Sequence, residues 1–350
     1  MRTVFWDYDT NQTKMIEQRL LPEVFEVVAF DRCADVGKAI TDMVIRGAPA
    51  IGGAAGFGMA LAAQESDARD LASLQEYVHR AAEELRLARP TAVNLAWAID
   101  RMLRVADAVE GSADDLREAM LKEAQTIADE DVEINKRMAE HGAALIEDGD
   151  TIIHHCNTGS LATVDWGTAL GVIHTAHEQG KNIHVLVDET RPRLQGSRLT
   201  AWELKEYGIS FDIISDNMAG HFLHTGQVQR VFFGADRVSA NGDVANKIGT
   251  YMLALAAKDN DVPAYSVVPT STIDLSLAHG GLIPIEERTQ DEVLGLDLLG
   301  RKASPEGATA RNIAFDVTPN RLITGIVTEN GVVYPPFDIN LPKFVRKFES

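Results

Sequence analysis

A thiol and a carboxylate end two apolar runs of this 350-residue chain. Thr151-Ile152-Ile153-His154-His155-Cys156 reads as a strand, and the turn residues Asn157-Thr158-Gly159-Ser160 follow it directly. Val231-Phe232-Phe233-Gly234-Ala235-Asp236 delivers Asp236 in the same way. In a parallel α/β sheet, residues just past the carboxyl ends of strands gather along one edge, where ligands bind. A thiol and an acid brought to that edge could act together on one small substrate. The plain alternative for Cys156 is a buried apolar thiol, a frequent state of free cysteine. Against it stands a helix expected to begin at Gly159-Ser160, whose exposed amides would favour a thiolate. For Asp236, the adjoining Arg237 offers an ion pair or a loop-capping role instead.

Other segments supply groups that could hold a ligand. In Arg46-Gly47-Ala48-Pro49-Ala50-Ile51-Gly52-Gly53, Pro49 suits a first helical turn, Gly47 frees the backbone before it and Arg46 is a forked cation. Together they could cradle a phosphate; alternatively, the glycines only permit close packing of a buried Ala/Gly-rich helix. Arg89, just before Pro90-Thr91, could add a second anion contact or simply end the preceding helix. Asp188-Glu189 ends another expected strand, with Thr190-Arg191-Pro192-Arg193-Leu194-Gln195-Gly196 after it. Asn246 and Lys247, at the expected start of a helix, could hold hydroxyls or phosphate. The histidine pairs 154/155, 174/177 and 221/224 have no carboxylate or cysteine at zinc spacing and read as surface or core residues. Neither G-x-G-x-x-G after a strand nor G-x-x-x-x-G-K-[ST] occurs, so no dinucleotide or nucleoside triphosphate is signalled.

The elements that must position these residues fall into two parts. Two short strands, 14–20 and 23–30, flank Leu21-Pro22. Helical periodicity then covers 32–44, 50–64, 70–88, 92–109 and 112–147. From Thr151 strands at 151–156, 183–188, 211–215, 230–235, 263–268 and 321–327 alternate with helices at 161–178, 198–207, 217–227 and 246–258. That rhythm predicts βαβ units and a doubly wound parallel sheet. The fold class is therefore α/β, with a smaller N-terminal β-plus-helical domain over 1–120 and a C-terminal domain with a doubly wound parallel sheet over 121–350.

A formal net charge of −19 repels a phosphate backbone, so nucleic acid is not an expected partner. Two distant cysteines, Cys33 and Cys156, give no disulfide framework. The weakly polar run 48–63 is shorter than the roughly 20 residues of a spanning helix, and Asp7 interrupts the start where a signal peptide would stay apolar. The expectation is a cytoplasmic protein with no membrane partner.

These segments occur in an order that resembles the 5-methylthioribose-1-phosphate isomerase family of methionine salvage. The resemblance rests on Arg46-Gly47-Ala48-Pro49-Ala50-Ile51-Gly52, Arg89-Pro90-Thr91, His155-Cys156-Asn157-Thr158-Gly159, Asp188-Glu189-Thr190-Arg191-Pro192, Gly234-Ala235-Asp236-Arg237, Asn246-Lys247-Ile248-Gly249 and Pro269-Thr270-Ser271-Thr272. It runs from about Thr3 to Pro336. The wider superfamily includes ribose-1,5-bisphosphate isomerases and the regulatory subunits of translation initiation factor 2B, which share the fold without the cysteine–aspartate pair. The resemblance implies a Rossmann-like catalytic C-terminal domain and an aldose–ketose isomerase of a small phosphorylated sugar acting as a homodimer, and the isomerisation needs no metal or organic cofactor. Cys156 and Asp236 would be catalytic, and Arg46, Gly47, Ala48, Arg89, Gln195, Asn246 and Lys247 would bind substrate. A related pentose 1-phosphate, ribose 1,5-bisphosphate or 5-deoxyribose 1-phosphate, is the alternative substrate, and a non-catalytic regulatory subunit the alternative function. Cys156 could be the base for a C2 proton or a stabiliser of charge, and a hydride shift is a third route. An acid role for Asp236 requires a raised pKa, most simply through burial.

Overall fold

The structure, a computed structural model, describes residues 1–90 and 92–345, so Thr91 of the Arg89-Pro90-Thr91 motif lies outside the described residues. Two compact units form, Met1–Asn135 with Gly159–Gly167, and Lys136–Thr158 with Thr168–Ser350. The division falls inside one long helix, fifteen residues beyond the boundary expected at 120.

In the first unit, β1 (Val4–Asp7), β2 (Gln12–Ile16) and β3 (Val27–Phe30) make an antiparallel sheet in that order. The sequence shows no period in β1, which is only four residues long; its pairing with β2 across a tight turn defines it. Asn11 in that turn has φ of 52°, a conformation asparagine tolerates. Five helices follow: α1 (Cys33–Thr41), α2 (Ala48–Glu65), α3 (Leu71–Arg86), α4 (Val93–Ala108) and α5 (Ala113–Ala143). Local chemistry starts two of them. Asp70 accepts from the Ser73 N–H at 2.9 Å, and Ser112 and Asp115 cap each other reciprocally.

Helix α2 is apolar on every side and buried from Ala50 to Ala63, packed among α1, α3, α4 and β1. Its glycines do serve close packing. A Cβ on Gly53 would lie 2.7 Å from a Val164 methyl, and one on Gly58 3.1 Å from Val36. The segment Gly159–Gly167 is bound into this unit by polar contacts. The Thr3 N–H donates to the Val164 carbonyl at 2.8 Å and the Gln18 amide to the Leu161 carbonyl at 2.7 Å. Asp131, from α5, accepts from the Val164 N–H at 2.8 Å and from the Asn135 amide at 3.0 Å.

The second unit is built on a seven-stranded sheet: β4 (Thr151–His154), β5 (His184–Asp188), β6 (Ser210–Ile214), β7 (Arg230–Phe233), β10 (Ala264–Val267), β15 (Gly325–Thr328) and β16 (Gly331–Val333). Its order is β16-β15-β10-β7-β4-β5-β6, parallel except at β16. Helices α6 (Ala169–Glu178), α7 (Ala201–Tyr207), α8 (Ala219–His224) and α9 (Thr250–Asp259) make the crossovers. A second sheet, order β11-β8-β9-β14, consists of β8 (Arg237–Ser239), β9 (Val244–Lys247), β11 (Ile273–Asp274) and β14 (Phe315–Thr318). A short helix α10 (Asp291–Leu294), the hairpin β12 (Asp297–Leu298) and β13 (Arg301–Lys302), and α11 (Phe337–Val345) complete it.

Two expected helices are corrected. Residues 161–178 do not form one helix: Ser160–Ala162 is a single 3-10 turn, and α6 starts only at Ala169, after Trp166 and Gly167 at positive φ. Asn246 and Lys247 lie on strand β9 and not at a helix start, because Phe315–Thr318 pairs with them from seventy residues away.

Burial outweighs two hydrogen bonds at Asp131 and pushes its carboxyl up to about 7. Its folded pKa lies above the unfolded value of about 3.9, so its stabilising contribution is complete below that value and disappears as pH rises through about 7. Asp131→Asn should therefore flatten stability across that window. Urea denaturation from pH 4 to 8 should show wild type losing stability relative to the variant as pH rises; parallel curves would contradict the assignment.

Candidate active site

Strand order reverses between β4 and β7: the chain runs outward from β4 through β5 and β6, then returns to β4's other side with β7. In open α/β sheets such a reversal opens a crevice beyond the carboxyl ends of the strands. His154 pairs with Phe232 in register, so Cys156 leaves β4 two residues beyond that level and Asp236 leaves β7 four beyond it. Neighbouring strands lie about 4.8 Å apart. The topology thus delivers the thiol and the acid from adjacent strands at the same edge.

Cys156 is 6% exposed and has φ of 68°, a left-handed conformation that a side chain rarely adopts. Both of its peptide groups are held. Its N–H donates to Thr190 Oγ1 at 2.9 Å, and its carbonyl accepts from Thr200 Oγ1 at 2.7 Å. Thr190, itself at φ of 61°, donates its hydroxyl to the Asp188 carbonyl at 3.0 Å and its N–H to Asp216 at 2.7 Å. Gly196 lies so close over Asp188 that a Cβ would sit 1.7 Å from that residue's carbonyl oxygen. The helix start proposed to favour a thiolate is absent, since one 3-10 turn of three residues has no macrodipole to speak of.

The neighbouring residues are buried and mutually bonded. Asn157 donates to Glu203 at 2.7 Å and to Thr200 Oγ1 at 3.2 Å. His154 lies 2.8 Å from the Thr158 hydroxyl, and burial pushes it down to about 3, so it is neutral. His155 bridges Asp188 at 2.8 Å and the Ile248 carbonyl at 3.0 Å. Burial raises the Asp188 carboxyl to about 6, and its Oδ1 has no protein partner. His155, Asp188 and Asp216 offer three ligand atoms within 4.8 Å of one another, the only such group of possible metal ligands among the described residues. Hydrogen bonds engage both nitrogens of His155, one oxygen of Asp188 and both oxygens of Asp216, which accepts from the Thr190 and Arg191 N–H groups.

Asp236 follows β7, its N–H donating to the Ala245 carbonyl at 2.8 Å, and its side chain is exposed. The burial expected for it is not found within the chain. Arg237 pairs with Asp274 at 3.4 Å. Lys247 is buried against the Phe315 ring, its ammonium 4.5 Å from the centroid and donating to the Ala314 carbonyl at 2.8 Å. Asn246 donates to Thr250 at 3.0 Å. Gln195 is buried, and its Oε1 has no protein partner. These residues share the second unit with Cys156.

Arg46, Gly47, Ala48 and Arg89 belong to the first unit. Gly47 ends the approach to α2 at φ of 99°, and a Cβ there would lie 2.2 Å from the Ala162 carbonyl oxygen, so no other residue fits. Ala48 is the first helical residue, and Arg46 and Arg89 are half-buried. Thr190, Thr200 and the His155–Asp188 bridge were not assigned from the sequence; the one pointer to them was the polar run Asp188-Glu189-Thr190 at a strand end.

The pattern of the Initiation factor 2 subunit family matches residues 44–335. The methylthioribose-1-phosphate isomerase 2 of Pseudothermotoga lettingae is 51% identical over 349 residues, covering 100% of this chain and 99% of the relative. The crystal structure of 5-methylthioribose 1-phosphate isomerase from Pyrococcus horikoshii superposes with a TM-score of 0.92 at 46% identity, covering 98% of this chain and 95% of that one. A crystal structure described as translation initiation factor eIF-2B, subunit delta, from A. fulgidus gives 0.90 at 44% identity, covering 99% of each chain.

The geometry makes Thr190 the support of the Cys156 turn. Thr190→Val removes an acceptor and a donor, both buried, and should cost about 1–3 kcal/mol in urea denaturation. A stability within 0.5 kcal/mol of wild type, which is roughly the range of neutral surface changes, would contradict that role.

Proposed function

The chain belongs to the initiation factor 2 subunit family, and we propose that it is an aldose–ketose isomerase converting 5-methylthioribose 1-phosphate to 5-methylthioribulose 1-phosphate. One observation carries the reading: Cys156 and Asp236 leave adjacent strands on the two sides of the strand-order reversal. The full-length likeness to isomerases supports it further.

The substrate sets a defined chemical problem. Phosphate on the anomeric oxygen prevents spontaneous opening to a free aldehyde, so the C1–ring-oxygen bond must break with the phosphate ester intact. Asp236, protonated in the complex and covered by the bound sugar, gives its proton to the ring oxygen. The Cys156 thiolate takes the C2 proton, and the C2–H electrons form a C1–C2 double bond as the C1–oxygen bond breaks. Cys156 returns a proton to C1 while the Asp236 carboxylate accepts the C2 hydroxyl proton, giving the ketose 1-phosphate. Electron pairs and protons balance, and both residues regain their starting state. Arg46, Arg89 and the amides of Gly47 and Ala48 hold the phosphate. Gln195, whose buried Oε1 has no protein partner, accepts from a sugar hydroxyl, with Asn246 and Lys247 completing the contacts. A buried setting for the thiol keeps water from the enol phosphate. By the same family reading the protein works as a homodimer in the cytoplasm. Among the described residues no helix is long and apolar enough to cross a membrane.

Turnover of 5-methylthioribose 1-phosphate, 5-deoxyribose 1-phosphate and ribose 1,5-bisphosphate by the purified protein tests the assignment. The first should be converted and the second should compete, because an apolar pocket separates methyl from methylthio by only about 1–3 kcal/mol. Preference for the bisphosphate, or no turnover, would overturn it. Cys156→Ser and Asp236→Asn should each lower kcat by about 10²–10⁴-fold with the fold intact by circular dichroism. Arg46→Gln and Arg89→Gln should mainly raise KM. In deuterium oxide, label at C1 of the product would mark the proton route.

A further inference from the structure

His155 lies next to Cys156 in sequence, and both nitrogens of its ring are engaged by the protein. A carbonyl only accepts, so Nε2 carries a proton and donates to Ile248 O at 3.0 Å. Nδ1 meets Asp188 Oδ2 at 2.8 Å, and the ring is fully buried. The backbone after Ile248 rests on that ring: a Cβ at Gly249 would lie 2.8 Å from His155 Cε1, and Gly249 has φ of 106°. We propose that His155 is a positioning residue for the isomerisation, clamping the Cys156 turn to the loop that joins Lys247 to α9 and to the Asp188 strand end that leads to Gln195. The inference rests on the isomerase reading of this site.

The surroundings fit a clamp. Asp188 from β5 bonds the ring and Asp216 from the segment before α8 lies within 4.8 Å of the pair, while Asp316 from β14 and the adjoining His154 interact with the ring through charge. Asp216 uses its oxygens on the Thr190 and Arg191 N–H groups. Asp316 uses its own on the Gly249 and Tyr251 N–H groups, which fixes the Ile248–Gly249 loop independently. Each carboxylate thus pins a loop, and the one imidazole joins those loops to the residue before the reactive thiol. A group with no surface of its own, tied to three segments that end in proposed site residues, acts through their placement.

Two substitutions separate the contacts. Asn at 155 can place an amide where Nδ1 was and reach Asp188 but not Ile248; Gln can place one where Nε2 was and reach Ile248. With substrate, His155→Asn should lower kcat by about 10²-fold with KM little changed, the scale of effect of an ångström-sized misplacement. His155→Gln should recover about tenfold of that loss, because it keeps the tie from the Cys156 turn to the Ile248–Gly249 loop that Asn loses. A second readout needs no turnover: iodoacetamide labelling of the two cysteines followed by mass spectrometry. His155→Asn should label Cys156 faster than wild type and His155→Gln less so, with Cys33 in the other unit labelled at the wild-type rate. Wild-type kcat in His155→Asn, or equal losses in both variants with Cys156 labelling unchanged, would overturn the clamp. If wild type itself converts no sugar phosphate, the isomerase reading fails, and the Cys156 labelling order alone then decides whether His155 holds the turn.

Discussion

The backbone of Cys156 is held in a left-handed conformation by two threonine hydroxyls, and the geometry of the site depends on that restraint. Such a conformation costs about 1–3 kcal/mol for a residue with a side chain. Two buried hydrogen bonds, each worth about 0.5–1.5 kcal/mol net, offset a cost of that size. Thr190 is strained in the same sense, so two unfavourable residues brace one another through the hydrogen bond between them. Strain kept at a strand end, where the chain could relax at little loss of pairing, indicates that the direction of the thiol matters.

The sheet explains where the restraint is placed. Two of its central strands, β4 and β7, straddle the strand-order reversal, and two buried side-chain oxygens, one at the end of neighbouring β5 and one in the segment that follows it, are left without protein partners. Oδ1 of Asp188 and Oε1 of Gln195 are buried without protein partners. Leaving such atoms unpaired costs about 1–3 kcal/mol each, a cost that donor groups of a bound ligand would remove. Asp131 shows the opposite case, its carboxylate accepting from the Val164 N–H of Gly159–Gly167 and from the Asn135 amide on its own helix.

Much of this was legible in the chain. The strands of the second unit are short apolar runs between turn residues, and the helices of the first have clear three- and four-residue spacing, so both parts and their α/β character follow from pattern. Cys156 and Asp236 announced themselves as strand-end residues. What pattern could not carry is non-local. Asn246 and Lys247 have little strand preference of their own and become strand only through β14, while Leu161-Ala162 continues a helical rhythm that Trp166 and Gly167 break by conformation. The expected boundary at 120 fell within a helix whose periodicity never falters from Ala113 to Ala143. The Thr190 and Thr200 braces and the His155 bridge depend on loops meeting in space, and a single chain offers no spacing rule for that.

The central claim is that one sugar phosphate lies between Cys156 and Asp236. A crystal structure of the Cys156→Ser protein with 5-methylthioribose 1-phosphate bound tests it most directly. The account predicts the residue 156 side chain at C2 and the Asp236 carboxyl at the ring oxygen, each about 3–3.5 Å from its target. A sugar bound away from either residue would contradict the account.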